Sequence, residues 1–409
     1  MLYLTVKEAT RISHGLSKNF LGIFKETTLA YFFDIFGLFA GFLIAYSLNV
    51  FTRTPWALAL YPTLISIRII SGLLSGRLST ALHLGTIYPR FFGNTKTFYK
   101  LIDAVIVLTL VTSLMVSAIS LLFGYLFWGI TLADFTAIVS VMVATLAIGL
   151  FFSLITIKVA FVSFSRGLDP DIVVYPIIST AASIFITLCY IAVLDLFFFS
   201  TYFGRLAIVV IGFAHVILVL YLITKDKREP EFIKTIRESL IMLMVVAILV
   251  TLTGTIFRGI NKFALDRKEI YIIYPALINM VGNVGSMVGS TANTKLALGL
   301  LKPSFASIKN HTKNILSAWL ASFLIFTILA LISLIINHVF TFSGVASFLV
   351  IIWISNMITV MGIVLLSFEI AIVTFKRGLN PENFVIPVET SLSTIITSTA
   401  LLIALLLVG

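Results

Sequence analysis

The sequence predicts an all-α polytopic membrane protein, with about 11 transmembrane helices arranged as two parallel five-helix repeats and one linking helix. Three observations predict this fold class. Hydrophobic residues make up 60% of the 409 residues and charged residues only 11%, which is too little polar surface for a soluble protein. Apolar stretches of about 20 residues, long enough to cross a bilayer core as helices, recur along the chain. One pattern of prolines and glycines also occurs twice.

The apolar stretches predict eleven spans, whereas a β-barrel would show short segments of alternating hydrophobicity. Residues 1–27 hold no long apolar core and no small-residue cleavage site, so we expect no signal peptide there. They combine apolar and basic residues, which predicts either a cytoplasmic interfacial helix or a solvated tail. The predicted spans are 28–50, 57–84, 103–127, 135–163, 172–199, 204–224, 238–257, 271–300, 313–337, 343–375 and 384–408.

The basic residues predict the orientation of these spans. With the N-terminus in the cytoplasm, 18 of the 28 Lys and Arg residues fall in cytoplasmic segments, 6 in outer segments and 4 within spans. This bias favours a multi-pass protein of the cell membrane with a cytoplasmic N-terminus and an outer C-terminus. It also explains the net charge of +11 without nucleic acid, because no basic tract is interleaved with aromatic residues in a soluble segment.

The second half of the chain repeats the first. The run RGLDPDIVVYPIISTAASI at 166–184 matches RGLNPENFVIPVETSLSTI at 377–395 in its arginine, glycine and prolines, at a constant offset of 211. The dipeptide Tyr-Pro at 61–62 recurs at 274–275, an offset of 213. Chance similarity of apolar segments does not readily align prolines, glycines and an arginine in one order, so we interpret the match as an internal repeat.

Each repeat contains five spans, and an odd number has a topological consequence. Two directly fused copies would point in opposite directions, but the extra span in the linker makes them parallel. The expected arrangement has a pseudo-twofold axis along the membrane normal. The predicted units are a cytoplasmic N-terminal segment at 1–27, a first repeat at 28–199, a linking helix with a cytoplasmic hinge at 200–237 and a second repeat at 238–409.

A ladder of small residues follows the second Tyr-Pro dipeptide, in the run YPALINMVGNVGSMVGSTAN. Gly282 and Gly285 share one helix face beside Ser286, and small residues of this kind allow helices to pack closely. Asn283 is not explained by packing, because an amide in hydrocarbon is costly unless it has a partner or meets water. The alternative is a pore-lining face, where carbonyl and amide oxygens replace the hydration shell of a passing cation. One helix can serve both purposes.

These motifs resemble a known family. The run GNVGSMVGS after a proline is similar to the glycine-asparagine-glycine-serine signature in the second span of MgtE-type magnesium transporters. RLSTA at 77–81 resembles the matching segment of the solute carrier family 41 transporters, which have two MgtE-like repeats in one chain. GLDPD and GLNPE resemble the loop that opens the family's fifth span. The resemblance covers most of the chain and implies membrane transport of divalent cations, Mg²⁺ before others, between the repeats.

The resemblance also implies which partners to expect. They are the lipid bilayer and the transported cation, with no cofactor besides that ion, and a monomer that is already a pseudo-dimer. Enzyme activity is not expected, because the five histidines are scattered without the spacing of metal ligands or a catalytic triad.

The chain departs from the family at one position in each repeat. In the family, an aspartate seven residues after the second proline of the loop motif binds the ion on the axis. Ser183 and Thr394 occupy these positions here. Hydroxyls alone bind Mg²⁺ weakly, since this ion usually keeps its waters and is held by carboxylates. The alternative function is therefore transport of a monovalent cation or another solute on the same fold.

A carboxyl in the second repeat could replace the missing aspartates. Glu389 lies in a predicted span, where its counterpart is Ile178, and an ionisable residue in a span is a functional candidate. The alternative is a protonated, partnered or snorkelling side chain. The predicted metal ligands are Glu389 and Asn283, and the predicted ion pathway comprises Asn283, Gly282, Gly285, Ser286, Glu389, Ser183, Thr394, Ser179 and Thr390.

One pair of charges occupies equivalent positions in the two repeats. Lys158 and Glu369 each lie eight residues before the matched arginine of their repeat. If these helices approach the axis, the two side chains would form a buried structural ion pair across the repeat interface. Two snorkelling side chains without mutual contact are the alternative.

Overall fold

The computed structural model is mostly helical, with no strand among the described residues. Ten helices in that part of the chain are long and apolar enough to cross a membrane. The prediction of an all-α polytopic membrane protein is therefore confirmed. The described residues are 20–67, 74, 77–78, 81–82, 85–165, 170–200, 202–264, 267–377 and 381–408.

The helices are numbered in chain order, and the described residues also form four short 3-10 or π-helical segments, at Phe33–Gly37, Gly124–Trp128, Leu132–Asp134 and Phe305–His311. A 3-10 turn at Phe33–Gly37 separates α1 from α2, and a π-helical turn at Gly124–Trp128 ends α6. The helices are α1 Phe20–Phe32, α2 Leu38–Tyr46, α3 Leu48–Phe51, α4 Pro55–Ala59, α5 Tyr61–Ile67, α6 Lys96–Phe123, α7 Phe135–Ser165, α8 Pro170–Phe198, α9 Tyr202–Asp226, α10 Pro230–Ala264, α11 Lys268–Ala297, α12 Thr312–Ile336, α13 Phe342–Lys376 and α14 Pro381–Val408.

Ten of the eleven predicted spans correspond to the ten long apolar helices. The second predicted span, 57–84, lies partly outside the described residues, where α4 and α5 represent its beginning. The first span runs over Phe20–Tyr46 rather than 28–50, because apolar residues before position 28 continue the helix. Residues 1–19 lie outside the described part of the chain, so the alternatives for the N-terminal segment stay predictions.

The first span of each repeat packs against the second span of the other repeat. In α2, a Cβ atom on Gly41 would lie 1.9 Å from the backbone oxygen of Ile272 in α11. In α10, a Cβ atom on Gly254 would lie 2.2 Å from the backbone oxygen of Ala59 in α4. The two contacts are equivalent at the offset of 213, because Gly254 corresponds to Gly41 and Ile272 corresponds to Ala59. The first span of each repeat therefore packs against the other repeat, and the two arrangements are equivalent.

Two tyrosines repeat the same relation inside each half. The hydroxyl of Tyr61 lies 3.2 Å from the hydroxyl of Thr187 in α8. The hydroxyl of Tyr274 lies 2.7 Å from that of Ser398 in α14. These are the tyrosines of the repeated Tyr-Pro dipeptide, and their partners are related by the offset of 211. Each bond joins the second span to the fifth span of its repeat, as an internal repeat requires.

Close helix packing at Gly41 leads to a stability prediction. We expect Gly41→Ala to destabilise the protein by about 1–3 kcal/mol, because the added methyl group would overlap the backbone of α11 and force a shift. Gly212→Ala is the matched control, since a Cβ atom there would lie 3.6 Å from Val143, an ordinary contact. Thermal unfolding of the purified variants in detergent measures the difference. Equal melting temperatures for the two variants would contradict the close packing.

A cluster of charges joins the linking helix to the first repeat where α6 begins and α9 ends. The ammonium of Lys100 donates to the carboxylate of Asp226, and Lys225 lies 3.2 Å from the carboxylate of Asp103. Lys100 and Asp226 are both buried. The positions equivalent to 100 and 103 in the second repeat hold a histidine and an asparagine, so the two halves share the location of this cluster but not its charges.

Candidate functional site

The first span is irregular at the residue that supplies a buried carboxylate. The 3-10 turn at Phe33–Gly37 carries Asp34, whose side chain is completely buried. The equivalent helix of the second repeat, α10, continues without such a turn. The turn packs against both α8 and α11, so it brings Asp34 to the boundary between the repeats.

The carboxylate of Asp34 is held by side chains from two other helices. The amide nitrogen of Asn283 in α11 donates to both carboxylate oxygens, at 2.9 and 2.8 Å. The hydroxyl of Thr180 in α8 lies 3.3 Å from one of them and donates to it. A buried carboxylate is tolerated only when such donors replace water. Asn283, which packing did not explain, thus orients a carboxylate of the other repeat.

A second hydrogen bond extends this contact along the same two helices. Asn279 lies one helical turn before Asn283, on the same face of α11. Its amide oxygen lies 3.2 Å from the hydroxyl of Ser183, three residues after Thr180 in α8, and accepts from it. We name the whole group the interface cluster. Its members are Asp34, Thr180, Ser183, Asn279 and Asn283.

The interface cluster offers oxygen atoms of three kinds: a carboxylate, amides and hydroxyls. Hard oxygen ligands suit Mg²⁺ and other hard divalent cations rather than metals that prefer thiolate or imidazole. Among the described residues, no group of three or more His, Cys, Asp or Glu could hold a metal ion. One carboxylate among neutral oxygens fits an ion in passage, because a pathway must bind its ion weakly enough to release it.

The cluster is not repeated at the equivalent position in the other half. At the offset of 213, Asp34 corresponds to Ala247 in α10. At the offset of 211, the hydroxyls are kept, with Ser391 and Thr394 in place of Thr180 and Ser183. The carboxylate therefore comes from the first repeat alone.

Several residues of the predicted ion pathway lie where they can contribute oxygens. Ser183 and Asn283 belong to the interface cluster. The hydroxyl of Ser183 also donates to the backbone oxygen of Ser179 at 2.9 Å. In α14, the hydroxyl of Thr394 donates to the backbone oxygen of Thr390, also at 2.9 Å. The predicted hydroxyl positions on the two fifth spans are thus buried and locally equivalent.

Gly285 serves packing on the face of α11 turned away from the interface cluster. A Cβ atom on Gly285 would lie 2.7 Å from Ile363 and 2.9 Å from the hydroxyl of Ser367, both in α13. Gly282 is buried and Ser286 is half-buried. None of these three residues shares a hydrogen bond with the interface cluster among the described contacts. Close helix packing therefore explains Gly285, whereas Asn283 lies on a different face of α11.

The two predicted metal ligands have different neighbours in the structure. Glu389 is 2% exposed and lies in α14, beside Ser367 of α13. Within the described part of the chain, neither of its carboxyl oxygens has a hydrogen-bond partner. The amide of Asn283 instead bonds to Asp34. One helix, α11, separates the two pairings, because Asn283 and Gly285 point in opposite directions from it.

The expected ion pair between Lys158 and Glu369 is not formed. Both side chains are exposed, on α7 and α13, and no ion pair among the described residues joins them. Equivalent positions need not approach a pseudo-twofold axis, and these two lie on outward faces of their repeats. The structure agrees with the alternative of two separate side chains that extend from the helix surface.

Asp34 is a member of the interface cluster that the sequence did not predict as a site residue. The predicted span 28–50 places this residue near the start of a helix rather than inside the membrane. Because the span begins at Phe20, Asp34 lies near its middle. An acidic residue in the middle of an apolar span is the signal that could have identified it.

Comparison with known proteins agrees with the architecture. A family model described as "MgtE: Divalent cation transporter" matches residues 69–193 and 274–404. The two matched segments fall one in each predicted repeat. Searches of curated proteins and of solved structures found no match.

Proposed function

The chain belongs to the MgtE family of divalent cation transporters, and from this premise we propose that it carries Mg²⁺ along the boundary between its repeats, past the interface cluster. The observation that supports this pathway is the buried carboxylate of Asp34, which the first repeat directs toward Asn283 of the second. The missing axial aspartates are then replaced by a carboxylate from the first span.

The chemistry of Mg²⁺ explains how such a cluster would act. The ion gives up water reluctantly and is usually bound through one or two carboxylates with several waters retained. The double hydrogen bond from Asn283 fixes the orientation of the Asp34 carboxylate. The hydroxyl of Ser183 would accept hydrogen bonds from the retained waters or donate to them, and the amide oxygen of Asn279 would accept from them. Ser183 thus keeps a role at the axial position without direct coordination.

Three further features belong to the same proposal. The N-terminus faces the cytoplasm and the C-terminus the outside, as the distribution of basic residues favours. One chain suffices for a pathway, because its two repeats supply both sides of the interface cluster. Transport of a monovalent cation or another solute is the alternative, and membership of a divalent cation transporter family does not favour it.

Reconstituted protein tests the proposal directly. Liposomes that contain the purified protein and an internal Mg²⁺-sensitive dye should show uptake under an inward Mg²⁺ gradient, and parallel assays should compare Mn²⁺, Co²⁺, Na⁺ and K⁺. Absence of divalent uptake by folded protein would refute the proposed function. Uptake of monovalent ions alone would establish the alternative.

A change at Asn283 tests the pathway rather than the family. We expect Asn283→Ala to lower Mg²⁺ uptake at least about threefold, because the carboxylate of Asp34 loses both of its amide hydrogen bonds and its fixed orientation. Asn337→Ala is the control, since that amide bonds only locally, to the backbone of Ser333 at the end of α12. Equal uptake rates in the two variants would exclude a pathway past Asn283.

A further inference from the structure

A second buried carboxyl lies inside the second repeat, apart from the interface cluster. Glu389 of α14 is 2% exposed, and both carboxyl oxygens are buried without a hydrogen-bond partner among the described residues. The hydroxyl of Ser367 in α13 is buried beside this carboxyl and interacts with it electrostatically, but the two groups do not reach full hydrogen-bond geometry. Polar atoms in this condition are rare in native proteins, and each requires an explanation.

Three helices meet at this point. Gly285 of α11 lies against α13, so that a Cβ atom on it would come within 2.9 Å of the hydroxyl of Ser367. The location therefore combines a carboxyl of α14 with a hydroxyl of α13, and the backbone of α11 closes it.

The charge at this location selects the class of ligand. No ion pair of the described residues includes Glu389, so none of their side chains balances an ionised carboxylate at this location. An unbalanced charge in a low-dielectric interior costs several kcal/mol. One monovalent cation would neutralise one carboxylate by itself, whereas a divalent cation beside a single carboxylate, as proposed for the interface cluster, depends on retained waters to spread its remaining charge. Carboxylate and hydroxyl oxygens are suitable ligands for a small, hard cation.

We propose that Glu389 and Ser367 form a second cation site, within the second repeat, that binds a monovalent cation such as Na⁺. The first repeat lacks it, because Ile178 occupies the position of Glu389. A bound cation would hold α13 and α14 together against the face of α11 that carries Gly285. Because Asn283 lies on the other face of α11, occupation of this site would also stabilise the position of the interface cluster.

Thermal stability measures this binding without any transport assay. The melting temperature of the purified protein in detergent should rise by about 3 °C when Na⁺ at tenfold its dissociation constant replaces choline at constant ionic strength. Glu389→Gln, a neutral variant of nearly the same shape, should lose the rise. Ser367→Ala should shift the Na⁺ concentration needed for it upward by about tenfold, which represents one lost ligand.

A carboxyl on the other side of α11 provides the matched control. Asp34→Asn should keep the Na⁺-dependent rise even though it impairs divalent transport, so failure of this proposal and failure of the proposed function can be told apart. A melting temperature that does not respond to Na⁺, Li⁺ or K⁺ would overturn the proposal. A response to Mg²⁺ instead, a response to pH alone, or a Na⁺ response that survives in Glu389→Gln would overturn it equally.

Discussion

Asp34→Asn is expected to lower Mg²⁺ uptake at least about tenfold while the protein stays folded. Two unit charges about 4 Å apart attract each other by about 4 kcal/mol at an effective dielectric constant of 20, and a divalent cation doubles that attraction. If the variant loses only about a third of the attraction between two unit charges, Mg²⁺ binding at this position already weakens about tenfold. Asparagine keeps an oxygen that can accept from Asn283 and Thr180, so the hydrogen bonds that pack the turn against α8 and α11 need not all be lost.

The control for this prediction removes the same charge from an exposed position. Asp195→Asn lies in α8 with an exposed side chain and should transport Mg²⁺ at nearly the wild-type rate. Uptake in reconstituted liposomes is measured for both variants, and size-exclusion chromatography establishes that both are folded. Wild-type uptake in Asp34→Asn would mean that the ion does not meet this carboxylate, and the proposed pathway between the repeats would have to be abandoned.

Lys100→Met is expected to destabilise the protein by about 3–5 kcal/mol. The side chain of Asp226 is only 1% exposed, and Lys100 is the cation that its carboxylate contacts. Removal of one member of a buried pair leaves the other charge without compensation, and this cost exceeds the value of the pair itself. The free energy of unfolding in mixed micelles, measured by titration with a denaturing detergent, gives the size of the effect.

Two further variants separate burial from charge. Lys96→Met breaks the neighbouring pair with Glu229, in which the lysine side chain is 71% exposed, and should change stability by no more than about 1 kcal/mol. The double variant Lys100→Met with Asp226→Leu should recover most of the lost stability, because two apolar side chains can replace a buried ion pair. If Lys100→Met behaves like Lys96→Met, the pair does not hold α9 to α6.

The fold class could be predicted from the sequence because the membrane limits the choices. Backbone groups in hydrocarbon must bond within their own segment, so long apolar runs can only be helices. The repeat was visible because prolines, glycines and a tyrosine need particular backbone positions and recur at fixed offsets. The need of Asn283 for a polar partner was recognisable for a related reason, since an amide in a span is costly without one.

The partners of these residues could not be predicted from the sequence. Asp34 and Asn283 are 249 residues apart, and no periodic pattern connects them. Lys158 and Glu369 occupy equivalent positions, yet both are exposed and unpaired with each other. Glu389 and Asn283 were predicted as ligands of one ion, but Asn283 bonds to Asp34 and Glu389 lies beside Ser367.

By itself, the sequence determined the number and length of most spans, their repetition and the residues that lipid would not tolerate alone. Only the tertiary structure decided that the first span of each repeat packs against the other repeat, and that this arrangement brings a carboxylate to the boundary between the repeats. The physical reason is that the lipid-compatible faces of transmembrane helices are chemically alike. The choice of neighbour then depends on close contacts such as Gly41 on Ile272 and on hydrogen bonds between distant segments.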